Sequence, residues 1–413
     1  MRNETLIGAE KFLREMWNLA LLTFVICRWA YSPMVGSPPI KDIKEESRQM
    51  NYKGFFSKRF LTMMAAVGVI ALAPLSRAGA VGYKQTNLVS DKAAATNPVA
   101  LNIDPNLLNP WGVAFFPGGP FWISDNGAGV STLYDGTGNK IALTVTIPPL
   151  ADTNPGAPGP SGMVWNGNPL AFLVSGAPAL FIWATEDGTI AAWQGALGTT
   201  AQIVVSNTNL TSGPVYKGLA IGNNSRGLFL YATNFRTGKI AVWNSTFGAD
   251  VTLNAKFIDN TIPSTFAPFG IQNINGQLWV TYAKQDAAKH DPVTGAGRGF
   301  VDVFDTDGNL LRRFARRGVL NAPWGVVLAP AHFGLFGNAI LIGNFGDGEI
   351  SAWNLQNRDF IDWIRDGQGK IIKLGTLWTL VFGGGMGASP QTLYFTTGLV
   401  NEQDGLFGTL TPN

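Results

Sequence analysis

The residues of this chain that could do chemistry sit at the ends of short apolar runs. "FWISDNG" ends in Asp125 and Asn126, "LFIWATEDG" in Glu186 and Asp187, "LFLYATNF" carries Asn234, and "AILIGNFGDG" carries Asn344 and Asp347. Asn109 and Asn321 open two other runs, "LNPWGVAF" and "LNAPWGVVLAP". All of these side chains are oxygen donors. Brought to one point, Asn126, Glu186, Asn234 and Asn344 could hold Ca²⁺, which takes about 6–8 oxygen ligands. Few of the set are carboxylates, and "EDG" and "GDG" are also ordinary hairpin turns in which Asn and Gly accept positive φ.

A second cluster is the segment "QDAAKHDPVTGAGRG" (285–299), with Asp286, Lys289, His290, Asp291 and Arg298. His290 is one of two histidines, and a His beside an Asp could act as a general base. The plainer reading is a solvated excursion punctuated by Gly and Pro. The other histidine, His332 in "APAHFGLFG", belongs to a different kind of connection and is assigned a structural role.

Other chemical templates are missing. Past residue 80 there is no G-x-S-x-G, P-loop, H-E-x-x-H or C-x-x-C. "FGGGMG" (382–387) lies between two apolar runs with no helix to follow it, which weakens a phosphate reading. "DTDGN" (305–309) resembles the opening of a calcium loop but lacks the closing Glu. "LRRFARRG" (311–318) reads as a solvated strand edge that its charges protect from pairing, and secondarily as a surface for an anionic polymer.

The elements that must position these residues repeat. The phrase "PWG" of 110–112 returns at 323–325, and weaker copies are "PSGMVWN", "YKGLAIG", "APFGIQN" and "TLWTLVF". Aligned on the glycine, Gly112, Gly162, Gly218, Gly270 and Gly325 match, with Thr379 in the sixth place, at intervals of 50, 56, 52, 55 and 54 residues. Each is followed by a second apolar run and then by a third. The third run ends in Tyr134, Trp193, Trp243, Phe304, Trp353 or Leu410. A looser fourth run follows in most units.

Short β-branched and aromatic runs joined by Gly, Asn and Asp are strands and hairpins. Six such units predict an all-β, six-bladed β-propeller of four-stranded blades spanning 81–413. The glycine suits innermost strands crowded on an axis, and the aromatic suits the gap between blades. The sixth unit stops after its third strand, and a spare strand, "YKQTNLVSD" (83–91), precedes the first. That N-terminal strand is expected to close the last blade. In this geometry the oxygen-bearing turns and the segment 285–299 share one mouth of the channel. His332 then falls on the other face. Asn126, Glu186, Asn234, Asn344, Asp286 and His290 are the candidate ligand-binding residues.

"NLVSD", "LNPWGVAF", "GFVDVFDTDGNLLRRF" and "LNAPWGVVLAP" together resemble a family of uncharacterised secreted bacterial proteins, some with a PEP-CTERM sorting tail. That family is similar to six-bladed TolB-like propellers. The resemblance implies the fold and export, but no activity and no catalytic positions. No such tail follows the last unit here, so tail-linked anchoring is not expected. Six-bladed lactonases of the gluconolactonase type use a comparable oxygen ring around one metal.

The start of the chain reads differently. Lys53, Lys58 and Arg59, an apolar stretch from Leu61 to Leu75 and the site Ala78-Gly79-Ala80 form a signal peptide over 50–80, cleaved near Ala80. Met50 is then the expected initiator, and 1–49 a non-native upstream extension. The apolar stretch is shorter than the roughly 20 residues a membrane span needs. Residues 1–80 hold 11 of the 30 Lys+Arg and 6 of the 27 Asp+Glu, leaving 19 and 21, so the remainder is near −2 rather than +3. Nucleic-acid binding loses its compositional support. Cys27, the sole cysteine, also lies there, so the mature part has no disulfide, thiol nucleophile or Cys-based metal site.

The expectation is a secreted or periplasmic, non-enzymatic propeller. It would bind a small molecule, a glycan or an envelope protein at the channel mouth, with no cofactor. A metal-assisted hydrolase or lactonase using Ca²⁺ is the alternative, and a purely structural repeat scaffold comes third.

Overall fold

The computed structural model describes residues 82–93, 99–150, 159–206 and 212–413. The leader and its cleavage site lie outside them. Six small antiparallel sheets follow in chain order. Their innermost strands are Pro110–Ala114, Pro160–Trp165, Tyr216–Asn224, Phe266–Ile274, Pro323–Leu328 and Thr376–Phe382, which define blades 1 to 6.

These inner strands touch around an axis, and the aligned glycines mark the contacts. A Cβ on Gly112 would strike the Ser161 backbone of blade 2, and one on Gly162 the Leu219 backbone of blade 3. The same holds for Gly270 against Trp324 and Gly325 against Trp378. A residue without Cβ is what allows that approach. At the sixth contact Thr379 does the opposite. Its Oγ1 donates to the Trp111 carbonyl at 2.7 Å and joins blade 6 to blade 1.

The closing strand is where the sequence predicts it. Tyr83–Ser90 pairs antiparallel with Asp404–Pro412, from Tyr83 opposite Pro412 to Ser90 opposite Leu406. It supplies the fourth strand of blade 6, and Asn102–Ile103 pairs with it in parallel as a short fifth. Blade 3 departs from the four-stranded expectation. Its sheet has three strands, and the following segment forms one helical turn, Val251–Asn254, capped by Asp250 on the Leu253 N–H at 2.9 Å.

The buried apolar residues divide by place. Six clusters fill the six gaps between blades, and each contains one of the third-strand residues Tyr134, Trp193, Trp243, Phe304, Trp353 and Leu410. A seventh lies on the axis. It is built from Trp111, Phe269 and Trp378, with Trp324 against them and Phe235 and Phe345 above. Trp111 stacks on Trp378 with ring centroids 3.5 Å apart, and Trp324 meets Trp378 edge-on at 5.9 Å. Four of the six residues that precede the ring position (Trp111, Phe269, Trp324 and Trp378) are therefore an aromatic plug. Ser161 and Lys217 hold the other two places. No helix of the described residues is long and apolar enough to cross a membrane.

Candidate functional site

Lys217 occupies an aromatic's slot in blade 3, and this decides the chemistry of the mouth above the plug. Its side chain is 1% exposed. Its ammonium lies over Trp111, with Nζ 5.2 Å from the ring centroid. A buried ammonium needs anions, and two turns deliver them. Nζ bonds Glu186 Oε1 of blade 2 and Asp291 Oδ1 of the blade 4 segment, the latter at 3.1 Å.

The network continues around the axis. Asn126 Nδ2 donates to Glu186 Oε2 at 2.8 Å. Asn109 Nδ2 faces Asn126 Oδ1 at 3.4 Å and donates to Glu402 Oε2 at 2.9 Å. Asn109 Oδ1 in turn accepts from Trp378 Nε1 at 3.0 Å, which ties the mouth to the plug. At the other end His290 Nδ1 meets Asp291 Oδ1 at 2.9 Å. Residues from blades 1, 2, 3, 4 and 6 are thus linked side chain to side chain.

The backbone that presents them is specialised. Val400, Asn401 and Glu402 all have positive φ, 50°, 53° and 67°. A left-handed conformation costs a non-glycine residue roughly 1–2 kcal/mol, so three in succession is a strained way to deliver one carboxylate over Asn109. The segment 285–299 is a built hairpin rather than a loose excursion. Asp286 Oδ1 accepts from the His290 N–H at 2.8 Å, the Asp286 N–H donates to the Asp291 carbonyl at 2.9 Å, and Val293 N–H returns to Lys284 at 2.7 Å.

No protein-family model matches the chain. It is 32% identical over 306 residues to uncharacterized protein R648 of Acanthamoeba polyphaga mimivirus, spanning 71% of this chain and 73% of the viral protein. Uncharacterized protein L690 of the same virus is 31% identical over 346 residues, 79% of this chain and 85% of the viral protein. The chain belongs to the family of these mimivirus proteins. Among solved structures, the soluble aldose sugar dehydrogenase of Escherichia coli in its apo-form superposes with a TM-score of 0.50, covering 80% of this chain and 100% of that one. At 14% identity it shares the propeller fold and nothing further is drawn from it. These relatives are viral, so they lend no support to the bacterial and tail-bearing part of the resemblance.

For this mimivirus-type propeller the sequence-derived residues separate into two groups. Asn126, Glu186 and His290 join the network. Asn234, Asn344 and Asp286 serve the backbone instead: Asn234 Oδ1 accepts from the Val215 and Thr237 N–H groups, and Asn344 Oδ1 from the Asn321 N–H at 3.0 Å. Asp125 turns into its own blade and accepts from Thr132 N–H and Oγ1 at 3.0 and 2.8 Å. Burial pushes its carboxyl well above the ordinary value. Asp305 of the calcium-like "DTDGN" is used up on its own turn, accepting from Asp307 and Asn309. His332 is exposed in the connection that follows the inner strand of blade 5, so the two histidines do not meet. Lys217 and Glu402, which complete the network, lie outside the sequence-derived set.

The electrostatics follow from burial set against pairing. Burial alone would lower Lys217, but the charges of Glu186 and Asp291 outweigh it and hold the ammonium above its ordinary value. Burial pulls Asp291 upward, yet the His290 hydrogen bond and the Lys217 charge leave its carboxyl well below the carboxylate range. Glu402 is raised by burial against the hydrogen bond from Asn109.

A divalent ion at this mouth would compete with Lys217 for its donors. Among the described residues Glu186, His290 and Asp291 can bring one ligand atom each within 4.8 Å of one another. Lys217 already bonds two of the three, and two of the four residues expected to ring the metal are spent on backbone. The buried ammonium of Lys217 already supplies one cation to this mouth.

Proposed function

We propose that the chain is an exported, non-enzymatic propeller that binds a small hydroxyl-bearing molecule at the mouth above the plug. The observation that carries this is the side-chain network from His290 to Glu402, assembled from five blades at one point. Asp291 and Glu186 are exposed at 64% and 17%, and their carboxylates suit hydroxyl or amine donors. Lys217, bonded to two carboxylates, is not a free amine nucleophile. Export rests on the leader at 50–80, and the TolB-like affinity rests on the sequence phrases.

The test is thermal unfolding of the full chain against neutral mono- and oligosaccharides. A ligand at 100 times its Kd adds about 2.7 kcal/mol of stability. That shift should vanish in Asp291→Asn and Glu402→Gln. A shift unchanged in both variants would remove the mouth from the reading.

The metal-assisted hydrolase keeps one observation in its favour, the proximity of Glu186, His290 and Asp291. Calorimetric titration of EDTA-dialysed protein with Ca²⁺ and Zn²⁺ decides it. Uptake of an ion that is lost in Glu186→Gln would replace the reading above.

A further inference from the structure

The outer edge between blades 4 and 5 carries a second concentration of cations, and its arrangement differs from a solvated edge. Of the arginines in "LRRFARRG", Arg313 turns inward. It bonds Asp302 through Nε and Asp259 through Nη2, and reaches Thr261 Oγ1 at 3.1 Å. Arg312 lies over the Trp279 ring at 5.4 Å and Arg317 over Phe300 at 5.6 Å. Arg358 arrives from the next blade and donates Nη1 to the Arg313 carbonyl at 3.3 Å. Arg316 stands exposed among them.

Two cavities flank Arg316 and share Arg313 and Thr261. One of 570 Å³ is lined by Phe314, Trp353 and Arg358 as well. The other, of 260 Å³, adds Phe300 and Arg317. The larger volume is within the range of small-ligand sites, about 300–1,000 Å³.

Three features point to an anionic occupant. Among the described residues, Arg312, Arg316, Arg317 and Arg358 have no carboxylate within 4.0 Å: Asp259 and Asp302 serve Arg313, and Asp362 serves Arg365. Burial and the charge of Arg358 both lower Arg312, the mark of like charges facing each other. All the cations are arginine, whose planar fork matches sulfate, phosphate and carboxylate, and two of them lie over aromatic rings. An apolar wall lies alongside: Trp353 meets Phe360 at 5.6 Å, and Phe360, 37% exposed, meets Trp363 at 5.5 Å.

We propose that this groove binds an acidic oligosaccharide, its anionic groups on the arginine edges and its sugar rings along the Trp353–Phe360 wall. A nucleic acid fits less well. The groove is short, and the chain beyond residue 80 is near −2 overall, with 19 basic against 21 acidic residues, which disfavours a long polyphosphate. This site is independent of the mouth.

The experiment is calorimetric titration of the full chain with a heparin hexasaccharide, at low salt and at about 0.15 M salt. Saturable binding should weaken roughly tenfold or more in Arg316→Glu/Arg358→Glu. Arg316→Lys/Arg358→Lys should lose part of it, because charge remains without the fork. The proposal is overturned if no saturable binding occurs at low salt, if the double Glu variant binds as the parent does while keeping its Tm, or if an oligo-dT of equal charge binds as tightly.

Discussion

Lys217 and Arg316 carry the same charge under opposite conditions. Lys217 is sealed on the axis, over Trp111, with Glu186 and Asp291 both on its ammonium. Arg316 stands at the rim with other arginines around it, and Asp259 and Asp302 are committed to Arg313. A cation taken out of water must bring its counter-charges with it, because the unpaired cost is several kcal/mol. A cation left in water need not, because solvent screens it. Neutralised charge at the mouth therefore fixes geometry, whereas uncompensated charge at the rim is available to a ligand.

The sharpest way to break this comparison is to remove the buried cation. Lys217→Met keeps an unbranched apolar side chain and deletes the ammonium, leaving Glu186 and Asp291 facing each other. We expect a loss of about 3–5 kcal/mol in denaturant unfolding, the range for breaking a buried ion pair. A loss below about 1 kcal/mol would put Lys217 in the surface class. Glu186→Gln should cost less, about 1–3 kcal/mol, since the amide oxygen still accepts and Asp291 remains. The double variant should cost less than the sum of the two, by at least about 0.5 kcal/mol, if the residues act as one unit.

How far the sequence reached can be judged from the same residues. The glycine alignment is legible because close approach on an axis excludes Cβ, and even the exception at Thr379 falls at a ring contact. The closing strand is legible because a propeller must cover its last edge. The blade 3 outer strand was not, because Val251–Asn254 is a single capped turn with no long-range signal. At the mouth, strand-end position says which turns arrive but not where side chains point. Asn126 and Asn234 end equivalent strands, yet one faces Glu186 and the other caps its own turn. Two signals were present and unread. Lys217 stands in the slot that holds Trp or Phe in four of six units, and Glu402 follows the second strand of unit six as Glu186 follows that of unit two. Each is an ionisable residue in a place the repeat had already marked.

The two regions should also titrate in opposite senses. Asp291 is held low, so the stability it contributes is complete above the unfolded carboxyl value, about 3.9, and is lost as pH falls below it. Asp302 sits under the arginine groove with no exposed surface. Burial raises it to about 7 despite the bond from Arg313. There the folded state holds the proton more tightly than the unfolded chain, so stability declines as pH rises from about 4 towards about 7. Asp302→Asn should flatten that limb in urea unfolding curves taken between about pH 4 and 8. Asp291→Asn should instead reduce the acid-side loss. If Asp302→Asn left the neutral limb unchanged, Asp302 would be an ordinary partner of Arg313.

The smallest effect expected is the most informative about the rim. Arg316→Ala removes an exposed side chain with no carboxylate partner among the described residues, so stability should change by no more than about 0.5 kcal/mol. Relief of repulsion against Arg358 and the loss of edge protection act in opposite directions. If the first wins, Tm rises slightly at low salt and the gain fades as salt screens the remaining arginines. A rise of that kind, together with lost oligosaccharide affinity, is what a site held against its own stability would show. A fall of more than about 1 kcal/mol would mean that Arg316 holds the blade edge, and the contrast with Lys217 would then be one of degree.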